Sequence, residues 1–310
     1  METAMTLLMY QVLKTVTEQG SFRKAAELLG LTPSAISHAV ASLEGELGFP
    51  VLNRSKSGVT LTDYGERLLP YVNAVLNSNE SLQQKVAQFN GLEQGTVKLG
   101  CFSSTCTNWI PDILHSFHKL YPGIVIEVLQ GTYDDVVYWI KNGVVDMGFL
   151  SASSAGDLSI VPLYKDPLLC VMPQNMERHG DGEYIGIDEM KTYPFVAQRE
   201  STDADIQNFL KGSALDVHAK YHVVDDLAMV SMVAHGFGIC IMPEMVMKDI
   251  PYEVKCYPIK PEAYRIVGLA TQNSEFMAPA VSTMYQYIIE HYKQKDAIVL
   301  DTARRAQTEQ

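Results

Sequence analysis

The chain has 310 residues, 47% of them hydrophobic and 19% charged, which suits a folded protein too long for one core and points to two or three domains. Its 36 acidic and 24 basic side chains leave a net charge of −12, which weighs against nucleic-acid binding by the chain as a whole. The best candidate for a membrane span, residues 228–246, is broken by Ser231, His235, Pro243 and Glu244, so neither a transmembrane helix nor a membrane partner is expected.

Charge is unevenly placed. Residues 1–62 carry Lys14, Arg23, Lys24, Arg54 and Lys56 against five glutamates, so this stretch is neutral and the acid surplus lies downstream. A neutral module with its cations on one side can still contact phosphates. The N-terminus bears Glu2 and no basic run, unlike a signal peptide, and five cysteines set mostly in apolar segments suit reduced thiols. A cytoplasmic protein is expected.

In chain order, Met9, Leu13 and Val16 recur at helical spacing and Gly20 stops the run. Ser21 caps a second helix whose stripe is Phe22, Ala25, Ala26 and Leu29, ending at Gly30. Thr32 caps a third, with Pro33 first, then Ile36, Val40, Leu43 and Leu47, ending at Gly48. Two short helices joined by Gly30-Leu31-Thr32 outline a helix-turn-helix. With Ile36, Val40 and Leu43 inward, Ser34, His38 and Ala41 point outward and Ser37 lies at the edge, small enough to enter a major groove. Val51-Leu52 and Val59–Leu61 around a polar turn predict a hairpin with Arg54 and Lys56 at an exposed basic tip. The candidate DNA contacts are Ser21, Arg23, Lys24, Thr32, Pro33, Ser34, Ser37, His38, Arg54 and Lys56.

Thr62 caps a long helix in which Leu68, Val72, Val75, Asn79, Leu82, Val86 and Phe89 repeat at 4, 3, 4, 3, 4, 3. A sustained heptad predicts a seam with a second helix, Asn79 fixing its register, and hence a homodimer or homotetramer. Pro70 predicts a kink or a late start.

From Thr96 short apolar runs alternate with helical ones: 97–102, a helix over about 108–120, 124–129, a helix over 134–141, and 145–150. A second set follows: 195–198, a helix from about 202, 219–224, a helix from 225, and 238–242. This predicts parallel sheet wrapped by helices, in two repeats with a cleft between them, with crossovers near 162–166 and 258–270 and a last helix over about 278–292. Ligands of such sheets sit at strand C-termini. That rule selects Ser103, Ser104 and Thr105, whose hydroxyls and helix amides suit an anion, with Thr132, Phe149, Ser151, Gln198, Arg199, Ser201 and Phe237.

The run Ser21-Phe22-x-x-Ala25-Ala26-x-x-Leu29, then Ser34-Ala35-Ile36-Ser37, Leu43-Glu44-x-x-Leu47-Gly48, Arg54 and Leu61-Thr62-x-x-Gly65 resembles the winged helix-turn-helix of LysR-type transcriptional regulators. One departure is His38, Ala41 and Ser42, where that family often carries Arg or Lys. The resemblance implies a winged helix-turn-helix over 1–62, a linker and dimerisation helix over 63–93, and an α/β effector domain over 94–310. That domain, like a periplasmic binding protein, would have two subdomains, about 94–162 with 268–293 and about 163–267. It also implies that Ser103, Ser104 and Thr132 hold an effector, often a small carboxylate, and that the partners are double-stranded promoter half-sites, a small molecule and further copies of the chain. The family's peroxide sensors carry two cysteines near the segment matching 201–211; this chain has none there.

An alternative is a solute-binding module whose N-terminal region serves only oligomerisation. No nucleophile elbow, P-loop, dinucleotide fingerprint or metal quartet occurs, so neither an enzyme, a cofactor nor a metal site is expected. Asp112, His115 and His118 share a helix face, and His218 and His222 one side of a strand, without the remaining ligands of a metal motif. Cys101 and Cys106 flank the proposed pocket, and inert thiols are the expectation.

Overall fold

The computed structural model describes residues 5–55, 58–90, 94–180, 182–199, 203–213, 215, 219–272 and 277–295. Contacts divide these into two compact units: residues up to Gly95, with Lys141–Val144 and the stretch up to Ala280; and the remainder.

In the first unit, α1 (Leu7–Gln19), α2 (Phe22–Leu29) and α3 (Pro33–Leu47) start where hydroxyls offer an acceptor to first-turn amides. Thr6 takes Met9 N at 3.4 Å, Ser21 takes Lys24 N at 3.4 Å and Thr32 takes Ala35 N at 3.2 Å. Gly30 closes α2 at φ 63° and returns its amide to Ala26. Val12, Leu13, Val16, Ala25, Ala26, Ile36, Val40 and Leu43 bury a common apolar core with Val51, Leu52 and Val72.

The hairpin β1 (Leu52–Ser55) and β2 (Gly58–Leu61) pairs Leu52 with Leu61 and Arg54 with Val59. Glu44 of α3 anchors it by accepting the amides of Val51 and Leu52 at 2.9 and 3.2 Å. α4 (Asp63–Phe89) begins at Thr62, whose hydroxyl accepts Gly65 N and donates to Pro50 O. A Cβ on Gly65 would lie 2.2 Å from the Val51 carbonyl oxygen, so this crossing tolerates only glycine. The helix starts at Asp63 and continues through Pro70, so no late start occurs. Asn73 and Asn77 donate to the carbonyls of Asn142 and Gly143, and Gln84 accepts the amide of Ala280, which ties those short pieces to this unit.

The second unit opens with β3 (Gly95–Cys101), α5 (Ser103–Asn108), α6 (Ile110–Leu120), β4 (Ile124–Gln130), α7 (Tyr133–Lys141) and β5 (Met147–Ser151). There follow β6 (Ser159–Pro173), β7 (Ile185–Gly186), α8 (Ile187–Met190), β8 (Val196–Gln198), α9 (Ala204–Gly212), β9 (Tyr221–Val223), α10 (Asp226–Ala234), β10 (Cys240–Pro243), β11 (Val254–Lys260), β12 (Tyr264–Thr271) and α11 (Pro279–Lys295). The eight-stranded sheet runs β4-β3-β5-β12-β6-β11-β7, with β10 also on β6.

One expectation is corrected. The sheet is mixed: β3 and β5 are parallel, but β12 lies antiparallel to β5 and β6, and β10 and β11 antiparallel to β6. The segments expected as crossovers, near 162–166 and 258–270, are built as strand. β6 is 15 residues long and serves β12 with its first half and β10 and β11 with its second. The helix expected over about 108–120 is α6, and the short α5 before it ends at Asn108 because Pro111 has no amide to continue its ladder.

Candidate functional site

On the first unit, Ser34, His38 and Ala41 are exposed on one side of α3, beside Thr32, Pro33, Arg23 and Lys24. Arg23 has 85% of its side chain exposed and among the described residues pairs with the exposed Glu27 at 3.2 Å through Nε, leaving guanidinium donors for a phosphate. Arg54 is different from expectation. Instead of standing free at the hairpin tip, its guanidinium stacks 4.6 Å over the Phe22 ring, reaches Ser37 Oγ at 3.5 Å and lies 4.0 Å from Glu44. It bridges α2, α3 and β1, since a planar cation gains more over an aromatic face than in open solvent. Lys56, the other tip residue, lies outside the described residues.

In the second unit a buried arginine organises the residues around the strand ends. Arg265 of β12 is 3% exposed and sits opposite Asp166 of β6. Its Nε and Nη2 bind Asp166 Oδ2 at 2.9 and 2.8 Å, Nη2 also donates to Ser104 Oγ at 2.9 Å, and Nη1 donates to Tyr133 Oη at 2.7 Å and faces Asp203 at 3.5 Å. The Phe102 ring closes one side at 5.1 Å. Asp166 is itself held by Met245 N at 2.9 Å. Thus α5, α7, β6, β12, the Asp203 cap of α9 and the turn after β10 converge on one cation.

Burial opposes charge on Arg265, but Tyr133, Asp166 and Asp203 outweigh it and keep the guanidinium protonated. Burial also pushes Asp166 above the usual carboxylate range against the pull of Arg265, and pushes Asp203 up to about 6. Asp226 is raised by burial too, while Arg265 and the hydrogen bond from Gln198 pull it down.

Several residues selected at strand ends are already engaged. Ser104 serves Arg265, Thr105 donates to Phe102 O at 2.9 Å, Ser103 accepts from Gln130 Nε2 at 3.0 Å, and Thr132 caps α7 against Asp135 at 2.7 Å. Thr105 and Thr132 thus spend their hydroxyl donors on partners a few residues away, whereas Ser103 and Ser104 accept and keep their own O–H groups to donate. Phe149 and Ser151 are fully buried, Phe149 against Trp109 and Ser151 against Ser153. Gln198 is buried, Arg199 and Phe237 are exposed, and Ser201 lies outside the described residues. The Cys101 thiol is pushed up to about 12, chiefly by burial and then by Cys106, the environment of an unreactive thiol. Among the described residues no group of His, Cys, Asp and Glu is placed to hold a metal ion, and His218 lies outside them. Nor is any described helix long and apolar enough to cross a membrane.

Sequence reasoning missed Arg265, Asp166, Tyr133 and Asp203. A signal was present: Arg265 stands before Ile266-Val267 and Asp166 just before Leu168-Leu169, and a charge inside an apolar run calls for an opposite charge.

Two family models match this architecture: "LysR substrate binding domain" over residues 90–293 and "Bacterial regulatory helix-turn-helix protein, lysR family" over residues 7–66. The chain belongs to the LysR family. It is a DNA-binding transcriptional regulator with an effector-binding domain, as the family models and curated relatives describe. It is 29% identical over 279 residues to the probable HTH-type transcriptional regulator LrrA of Synechococcus elongatus, covering 89% of this chain and 94% of that one. Among solved LysR-family folds, a full-length OxyR variant from Pseudomonas aeruginosa matches with TM-score 0.75, 20% identity and coverage of 94% and 95%. The effector binding domain of QuiR in complex with shikimate matches with TM-score 0.57, 21% identity and coverage of 65% and 98%.

The heptad of this LysR-family chain divides in the structure. Leu68 and Val72 pack on the helix-turn-helix core, so they are not free for a partner helix. Val75, Leu82, Val86 and Phe89 are exposed at 43, 65, 51 and 78%, and Asn79 is half-buried among them. The core begins the heptad because Thr62 and Gly65 set α4 against Val51, turning its first apolar residues onto that module.

Proposed function

We propose that α3 reads base edges with Ser34 and His38, flanked by Ser37, and that Ser21, Arg23, Lys24, Thr32, Pro33, Arg54 and Lys56 meet the DNA backbone or set the angle of approach. The observation that carries this is the exposed, small-residue face of α3, together with the exposed Arg23, whose pairing with Glu27 uses its Nε and leaves guanidinium donors. Two copies pair through Val75, Asn79, Leu82 and Val86 of α4, so that their helices address two half-sites of a promoter in the cytoplasm. A small-molecule effector binds at the strand ends around Arg265, where Ser103, Ser104, Thr105, Thr132, Phe149, Ser151, Gln198, Arg199, Ser201 and Phe237 were selected. It shifts the pairing of the two copies, and with it the spacing of the recognition helices. The similarity of this region to a domain solved with shikimate supports a small polar ligand there.

The test is selection of bound duplexes from random DNA by full-length protein, repeated with His38→Ala and Arg23→Ala. The proposal expects half-sites in pairs, a changed preferred sequence for His38→Ala, and uniformly weaker binding for Arg23→Ala. An unchanged preference with His38→Ala, or single unpaired sites, overturns the respective part.

A further inference from the structure

Among the described residues, Asp166, Asp203 and Asp226 all draw on Arg265. Asp203 faces Arg265 at 3.5 Å and accepts the Asp205 amide at 2.9 Å, Gln198 donates to Asp226 at 3.0 Å, and the charges of Asp205 and Asp226 both raise the Asp203 carboxyl, which puts the four side chains in one neighbourhood. Arg265 cannot serve them all: its guanidinium is taken up by Asp166, Ser104, Tyr133 and Asp203.

Two acceptors are left over. Gln198 is 6% exposed and donates Nε2 to Asp226 Oδ1 at 3.0 Å, and its buried Oε1 has no donor among the described residues. The opposite orientation of the amide would set an oxygen against a carboxylate, so Asp226 fixes Oε1 as the open acceptor. Asp205 Oδ2 is also buried without a partner among the described residues, while the Asp205 amide is used by Asp203 at 2.9 Å. A buried acceptor without a donor is costly, and a group of them is suited to a ligand that brings donors.

We infer that the effector carries an N–H-bearing cationic group, a primary ammonium or guanidinium, held by Gln198 Oε1 and the carboxylates of Asp226 and Asp205. This rests on reading the region around Arg265 as the effector site. An anion finds less here, because Thr105 and Thr132 spend their hydroxyl donors on Phe102 O and Asp135, only Ser103 and Ser104 keep theirs, and the carboxyls of Asp203, Asp205 and Asp226 lie nearby. A bare metal ion finds no ligand group among the described residues. Asp205 and Asp226 are half-buried, which leaves a route for a small molecule.

The test is thermal unfolding and calorimetric titration of the full-length protein with millimolar putrescine, agmatine and lysine. Tetramethylammonium supplies charge without N–H, and succinate and shikimate supply the anions. At least one N–H cation is expected to raise the unfolding temperature while tetramethylammonium does not. Asp226→Asn is expected to weaken that cation tenfold or more, and Gln198→Met severalfold, each with an unchanged circular dichroism spectrum. A response to succinate or shikimate and to no cation overturns the inference and leaves the effector site standing. Silence from every cation, or binding indifferent to both variants, also overturns it. The effector reading is then judged separately, by whether Arg265→Lys alters DNA half-site spacing.

Discussion

The two units spend their polar residues in opposite ways. In the helix-turn-helix unit the core beneath α1, α2 and α3 is apolar, and the residues proposed to meet DNA stand outside it, joined to the fold by caps and one stacked arginine. In the effector unit Ser104, Asp166, Asp203, Gln198 and Arg265 are themselves buried, so the groups proposed to sense a ligand also hold the fold together. Recognition on a surface can change residue by residue with little structural cost. Recognition built on a buried ion network cannot, and its ligand response and its stability are coupled.

The largest test of this contrast is Arg265→Ala. It strands Asp166 and Asp203 in the interior, and removing one partner of a buried ion pair costs about 3–5 kcal/mol. Both tryptophans, Trp109 and Trp139, belong to the effector unit, so fluorescence during urea unfolding reads that unit. The double change Arg265→Met with Asp166→Leu should cost less than Arg265→Ala alone, because no charge remains unpaired. A loss below about 1 kcal/mol for Arg265→Ala would break the comparison.

Asp203 sharpens it further. Burial lifts its carboxyl from the ordinary 3.8 to about 6, so the folded chain binds this proton more tightly than the unfolded one. Stability from this group is therefore fully present below about pH 4 and falls as the pH rises through about 6, by about 3 kcal/mol for a shift of about two pKa units. Asp203→Asn keeps an acceptor for the Asp205 and Ile206 amides and removes the titration. The variant should gain stability at pH 7 relative to wild type and gain little near pH 4, checked by urea unfolding across that range. An equal effect at both pH values would exclude Asp203 as the titrating group.

The same contrast explains what could be read in advance. The helix-turn-helix was legible because its determinants are local: Ser21, Thr32 and Thr62 announce helix starts, glycines announce ends, and the apolar stripe repeats within a few residues. The effector site was legible only in its outline of strand ends. Arg265 meets Asp166 across 99 residues and Ser104 across 161, and no periodicity reports a pair at such separation. The long β6 was hidden by Pro162 and Pro167, which read as breaks; Pro162 lies at the bulge in the pairing with β12, and Pro167 where the strand passes from β12 to β10 and β11. Arg54 was misplaced for a smaller version of the same reason: hairpin spacing puts it near a tip, and only the packing of α2 beside β1 offers it the Phe22 ring.

The smallest effects test the surface side of the contrast. Arg23→Ala should leave stability within about 0.5 kcal/mol, because its ion pair with Glu27 is exposed and helical pairs of this kind contribute a few tenths. If Arg23 meets a phosphate, the slope of log affinity against log salt should fall by about one unit for each copy bound. Arg54→Ala should differ in kind. Losing the contact with Phe22 should cost about 0.5–1 kcal/mol of stability, and Ser37 loses the group that steadies it at the edge of the recognition helix. Arg54→Ala should therefore alter sequence preference as well as affinity, whereas Arg23→Ala should weaken every duplex alike. Titrations of both variants against a matched and a mismatched duplex at several salt concentrations separate these outcomes. Identical behaviour of the two would mean that the stacked arginine and the exposed one do the same work, and that the bridge from hairpin to α3 has no part in reading DNA.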